Sequence, residues 1–240
     1  MTRRLYWEEP ARKTALAEVT SRRGGGFLLD RTLYHASLPS YHHAQPCDRG
    51  HVLAEGHKLK IHKVSWRGGE LVHLTGGPLP APGAKAQLHL DAPRRLVQAR
   101  AHTLMHLLLQ ALAEARATLL ESPDVVGGGE VRARARFREA PAEAWGRVVA
   151  GVGRRVEARD AVEATWTPRD EAQRAPLTPQ AVPLDAVAPG EPTLRLVRIG
   201  ENLLPCDAPL VERSSDVGAF RAAPPQVASD GSARLRLKTS

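Results

Sequence analysis

Over residues 1–90 the apolar positions come in short runs that alternate with polar ones and are cut by turn residues. Thr14 to Thr20 alternates loosely, Gly24-Gly25-Gly26 turns, and Phe27-Leu28-Leu29 opens another extended run. His57 to Val64, Glu70 to Leu74 and Ala86 to Leu90 are further candidate strands, separated by Gly68-Gly69, Gly76-Gly77 and Pro78 to Gly83. Short strands between frequent turn signals predict a small β-barrel or sandwich.

The pattern changes at Asp91. From Pro93 to Leu120 there is no glycine, proline stands only at the start, and Leu96, Ala99, Thr103, His106, Leu107 and Gln110 recur at helical spacing. This predicts one long helix with a broad buried face, and Pro93 suits a first turn. Gly127-Gly128-Gly129 then leads into an alternating strand, Val131 to Phe137, and Ala142 to Ala158 repeats the helical pattern. Pro168 to Pro192 reads as a loop, Leu194 to Ile199 as a strand running toward Pro205-Cys206, and Ala233 to Leu237 as a last strand. The predicted fold is therefore α+β: a β-barrel-like domain over residues 1–90, then over 91–240 a domain with a long helix packed on an antiparallel sheet.

Composition narrows the function classes. The 240 residues are 42% hydrophobic, enough for a packed core, while aromatics are only 4%, so that core must be built from Leu, Val and Ala. A formal net charge of +8 favours a polyanionic partner such as nucleic acid, although an arginine-rich composition would give the same sum. Residues 1–10 place Trp7, Glu8 and Glu9 where a signal peptide would need an apolar stretch, and no run is long and apolar enough to span a bilayer. A cytoplasmic protein with free thiols at Cys47 and Cys206 is the expectation.

His102 and His106 stand four apart on the predicted helix, so both imidazoles project from one side, one turn apart. That spacing suits two ligands of one metal ion; two partly buried histidines bonded to polar neighbours are the alternative. Cys206 follows a predicted strand, where a lone cysteine is more often a small buried hydrophobe than a ligand. Arg132, Arg134 and Arg136 alternate along one strand and so share a face, and Arg94, Arg95 and Arg100 cluster near the start of the long helix. Both sets are candidate RNA contacts, with a solvated charged face as the alternative.

Five segments acquire meaning together. His102 to Leu108 reads His-Thr-Leu-Met-His-Leu-Leu, and Asp91 to Arg95 leads into it. Cys206 to Gly218 reads Cys-Asp-Ala-Pro-Leu-Val-Glu-Arg-Ser-Ser-Asp-Val-Gly, while Asp30 to Tyr34 and Gln45 to Gly50 lie upstream. In their order along the chain, and over nearly all of it, they resemble the freestanding alanyl-tRNA editing proteins, which are related to the editing domains of alanyl- and threonyl-tRNA synthetases. The corresponding family patterns are Asp-x-x-x-Arg, His-Thr-Ala-x-His-Leu-Leu and Cys-Gly-Gly-Thr-His-Val-x-x-Thr-x-Glu-Val-Gly. Two departures bear directly on the site. Leu210 stands where the family has a histidine ligand, and Ser40-Tyr41-His42-His43-Ala44 replaces a glycine-rich loop.

The resemblance implies an aminoacyl-tRNA deacylase that removes serine from mischarged tRNA(Ala) and contains no aminoacylation domain. It implies Zn²⁺ held by His102, His106 and Cys206, a set one ligand short of the family's; His42 and His43 are candidate substitute ligands, with surface or pocket-lining histidines as the alternative. It also places Thr32, Gln45 and Thr103 in the substrate pocket; otherwise Thr103 is an ordinary helix residue bonding its own backbone and Gln45 a loop residue before Pro46. Catalytic zinc commonly has three protein ligands and an open position, so the shortened set is chemically adequate. Two other readings stand beside this one: a degenerate editing fold that binds RNA without hydrolysis, and a hydrolase with changed aminoacyl-ester specificity.

Overall fold

The computed structural model describes residues 2–37, 45–178, 184 and 192–240. His42 and His43 lie outside the described residues. The described chain divides into two units, one up to Leu96 and the other from Val97 onward.

The first unit opens with a short strand β1 (Arg3–Arg4) and a helical turn α1 (Leu5–Glu8). Strands β2 (Thr14–Arg23) and β3 (Gly26–Leu29) follow, and β4 (Arg31–Thr32) pairs in parallel with β1. With β5 (Gly50–Ala54), β6 (His57–Arg67), β7 (Glu70–Thr75) and β8 (Lys85–Leu90), the strands close a barrel in the order β2-β3-β7-β6-β5-β8. All of its pairings are antiparallel. Ala15, Ala17 and Val19 of β2 face the interior, whereas Leu16, between them, is exposed. Side-chain alternation thus overrides residue hydrophobicity in deciding what is buried.

Strand β5 is absent from the sequence expectation, because Gly50 and His51 interrupt any apolar run there. A Cβ at Gly50 would lie 2.1 Å from the His89 carbonyl oxygen and 2.9 Å from the Tyr34 ring, so the close approach of β5 to β8 requires glycine. Tyr34 Oη lies 2.8 and 3.1 Å from the carbonyls of His51 and His89, joining those two strands.

Helix α2 (Ala92–Glu114) begins where the pattern predicts, and Asp91 Oδ1 accepts the Arg94 N–H at 3.2 Å. It ends earlier than the expected Leu120. Arg116 adopts a left-handed conformation, φ 51°, and the Ala117 N–H reaches back to the Leu112 carbonyl at 3.0 Å. This is a helix-terminating turn that usually carries glycine. With arginine in that position the stop leaves no mark in the sequence, and the expected helix overlaps the first three residues of strand β9 (Thr118–Val126). The helix also lacks a solvent face over its middle: every residue from Ala101 to Leu109 is buried. It is a central helix of its unit.

Around it are β10 (Glu130–Arg136), α3 (Pro141–Glu157), β11 (Val162–Pro168) and the turn α4 (Arg169–Ala172). Strands β12 (Thr193–Ile199), β13 (Asn202–Pro205), β14 (Phe220–Ala222), β15 (Gln226–Val227) and β16 (Ala233–Thr239) complete the unit. A five-stranded sheet runs β14-β16-β10-β9 with β15 added to β16, and a three-stranded sheet runs β11-β12-β13. Leu104, Leu108, Val131, Ala133, Leu235, Trp145 and Val148 belong to one apolar core joining α2, the larger sheet and α3. Each fully buried leucine there contributes roughly 1.5–3 kcal/mol. The class is α+β, as expected from the pattern.

Candidate metal centre

The long helix brings His102 and His106 to one side, and a hairpin delivers a thiol to them. Strands β12 and β13 pair with Leu196 opposite Pro205 and Ile199 opposite Asn202, and the turn between them uses Gly200 at φ 58°. The Cys206 N–H donates to the Arg195 carbonyl at 3.0 Å, so the pairing carries one residue beyond β13 and fixes where the side chain starts. Cys206 Sγ then lies 3.3 Å from His106 Nε2 and 3.5 Å from His102 Nε2. The two imidazole centroids are 5.1 Å apart with their planes at 52°. All three residues are buried, and their donor atoms lie within 4.8 Å of one another.

Second contacts hold these groups in place. Asn202 Nδ2 donates to the His106 carbonyl at 3.1 Å, tying the hairpin turn to α2. The buried Arg195 guanidinium donates from Nη1 to the carbonyls of Cys206 at 3.0 Å and Ala208 at 3.2 Å. The Thr103 hydroxyl donates to the Ala99 carbonyl at 2.9 Å and accepts the Val211 N–H at 3.2 Å. Thr103, expected at the substrate pocket, therefore docks the segment after Cys206 onto the helix. Burial pushes the Cys206 thiol up to about 11, partly offset by the nearby Arg195 charge.

The donor set fits zinc. Zn–N bonds of about 2.0–2.1 Å and Zn–S bonds of about 2.3 Å at tetrahedral angles separate nitrogen from sulfur by roughly 3.6 Å. The observed 3.3 and 3.5 Å are within a few tenths of that. Leu210 is buried in the apolar core, so its position offers no fourth donor.

The remaining candidates are dispersed. Thr32 is buried in the barrel unit, its Oγ1 2.8 Å from His73 Nε2 and accepting the Tyr34 N–H at 3.1 Å. Gln45 is also buried in that unit, and among the described residues neither atom of its side-chain amide has a hydrogen-bond partner. Arg95, expected among the RNA contacts, is a buried structural residue. Its guanidinium grips both oxygens of Asp48, at 3.0 and 2.6 Å, and donates to the carbonyls of Leu33 and Pro10. Arg94 is half-buried with Nη2 3.4 Å from the Cys47 carbonyl, and Arg100 Nε donates to the Asp216 carbonyl at 2.9 Å. Arg132, Arg134 and Arg136 do share the outward face of β10, while Val131, Ala133 and Ala135 point inward.

Sequence reasoning passed over Arg195, Asn202 and His73. The first stands with Arg198 in the strand Leu194 to Ile199, and nothing local distinguishes the buried arginine from the exposed one; the second is an ordinary turn residue by sequence.

Comparison with known proteins supplies the remaining context. The alanine–tRNA ligase of Methanothermobacter thermautotrophicus is 28% identical over an alignment that covers 98% of this chain and 26% of the ligase. That of Methanothrix thermoacetophila is 26% identical, covering 98% of this chain and 25% of the ligase. The chain is distantly homologous to alanine–tRNA ligases. A third ligase, from Caldivirga maquilingensis, is 32% identical over a shorter alignment covering 46% of the chain. The chain spans about a quarter of the length of these whole-length matches. No protein-family model matches it. Among the described residues, no helix is long and apolar enough to cross a membrane.

Proposed function

We propose that this chain is an aminoacyl-tRNA deacylase that hydrolyses mischarged tRNA(Ala), chiefly Ser-tRNA(Ala), with zinc held by His102, His106 and Cys206. The observation that carries the reading is the buried convergence of two imidazoles and one thiol in a relative of alanine–tRNA ligases. On this reading residues 1–90 are a barrel-like domain and residues 91–240 the editing domain.

The reaction asks little of the protein. An aminoacyl ester is already activated, so hydrolysis needs a positioned water and stabilisation of the developing oxyanion. A zinc ion bound here would supply a Lewis acid and lower the pKa of its water. Around it, Arg195 and Asn202 keep the ligand-bearing segments in register, and burial of all three donors keeps competing water away from them. The Gln45 amide also supports a substrate-binding role. That buried amide finds no partner among the described residues, and a polar ligand group would satisfy it. Thr32 keeps its proposed pocket role only if its hydroxyl exchanges His73 for substrate.

The test measures zinc content and Ser-tRNA(Ala) deacylation of the wild type beside His106→Ala and Cys206→Ala. The reading expects about one zinc per chain and turnover, both lost in the variants. Zinc-independent turnover retained by both variants would sink it. The buried Leu210 favours a second reading, a fold that binds tRNA without hydrolysing it. Tight tRNA binding by a zinc-free wild type with no turnover of any aminoacyl-tRNA would select that one.

A further inference from the structure

In the larger sheet of the second unit, two of the cross-strand pairs between β10 and β16 set like charges directly opposite one another. Arg132 faces Arg236 and Arg134 faces Arg234 across that ladder, and on the other side of β16 Lys238 faces Arg221 of β14. Residues directly opposite share a face, here the one turned away from the core; Leu235 and Leu237 of β16 are buried and Arg234, Arg236 and Lys238 exposed. Like charges placed directly across a ladder destabilise a sheet. The opposition is offset in part, since Lys238 also faces Glu130 of β10, and Arg132 and Arg134 face Asp124 and Glu121 of β9; Arg234 and Arg236 have no acidic residue directly opposite.

The two sides of this ladder are not equivalent. On β10, Arg132 pairs with Glu130 at 2.6 Å and Arg134 with Asp230 at 2.9 Å. On β16 and β14, by contrast, no described residue engages the side chains of Arg221, Arg234, Arg236 or Lys238. The surface is an open hollow bordered by Arg221, Arg236 and Lys238, with Glu130, the partner of Arg132, at its β10 edge. Rows of free cations on an open sheet suit an extended polyanion rather than a small anion, because each phosphate of a nucleic acid backbone can meet a different side chain.

We infer that this face is the seat of the RNA backbone, with Arg221, Arg234, Arg236 and Lys238 as its phosphate contacts and the arginines of β10 only at its margin. The inference rests on the tRNA reading above and assigns it a surface. Its occupant is the sugar–phosphate backbone of tRNA, contacted without regard to base sequence.

The experiment uses the full chain and uncharged tRNA as the probe, with affinity measured by anisotropy across a salt series. One variant carries Arg234→Gln, Arg236→Gln and Lys238→Gln; a second carries Arg132→Gln and Arg134→Gln. The first variant should lose roughly tenfold or more in affinity, and its slope of log affinity against log salt should be shallower by about two to three. It should also melt at or above the wild-type temperature, since like-charge opposition is relieved, which separates lost binding from lost folding. The second variant should change affinity by less than about threefold. Wild-type affinity and slope in the first variant, or an equal loss in the second, would overturn the assignment and leave the deacylase reading standing. A wild type that binds no tRNA at all would overturn both.

Discussion

Each unit buries histidine, and the two settings differ in what the ring nitrogens face. In the barrel, His73 Nε2 lies 2.8 Å from the Thr32 hydroxyl and Nδ1 3.3 Å from the Phe27 carbonyl, while the ring stacks on Phe27. One donor, one acceptor and an aromatic face use the neutral imidazole completely, and burial pushes its pKa down to about 4. In the second unit, His102 and His106 aim their Nε2 atoms at one thiol, at 3.5 and 3.3 Å. A thiol is a weak hydrogen-bond partner, so that convergence adds little stability by itself. It is, however, a good ligand set. Buried histidines that satisfy each other's surroundings are structural, whereas buried histidines that crowd a soft donor point to a metal.

The largest expected effect comes from removing that donor. Cys206→Ala should abolish zinc retention and reduce deacylation by at least about a hundredfold, with the fold intact by circular dichroism. A zinc-replete variant at wild-type rate would make the two histidine settings equivalent. The reverse outcome is expected in the barrel at Asp48→Ala, which strands the buried Arg95 guanidinium and should cost about 3–5 kcal/mol in denaturant unfolding. Zinc bound per folded chain should not change there.

His73 makes a prediction in pH. Its imidazole takes up a proton near 6.5 when unfolded but only near 4 when folded, so acid favours the unfolded chain. The contribution is whole above about pH 6.5 and is lost progressively as pH falls toward 4, on the order of 3 kcal/mol in total. His73→Phe should remove that part of the decline, read from unfolding free energies across the range. An unchanged acid profile would show that His73 protonates without loss of structure. The smallest effect is expected at Arg195→Met. Loss of its bonds to the Cys206 and Ala208 carbonyls should weaken zinc binding about tenfold by competition titration, leaving the stoichiometry unchanged.

The local patterns of the chain were sufficient for its fold class. Alternation marked most barrel strands, and helical spacing placed His102 and His106 on one side of α2, because both periodicities are properties of the backbone within a few residues. They failed where a feature departed from its usual residue, as when Arg116 ended α2 in a conformation that glycine normally takes. They also failed wherever the partner was remote. Nothing near Arg95 announces Asp48, which turns an apparent surface arginine into the centre of a buried ion pair. The third donor depended on the β12–β13 hairpin closing against α2, and the opposition of arginines on β10 and β16 on a register set far along the chain. Contacts of that kind depend on how packed elements meet, and short-range periodicity carries no record of it.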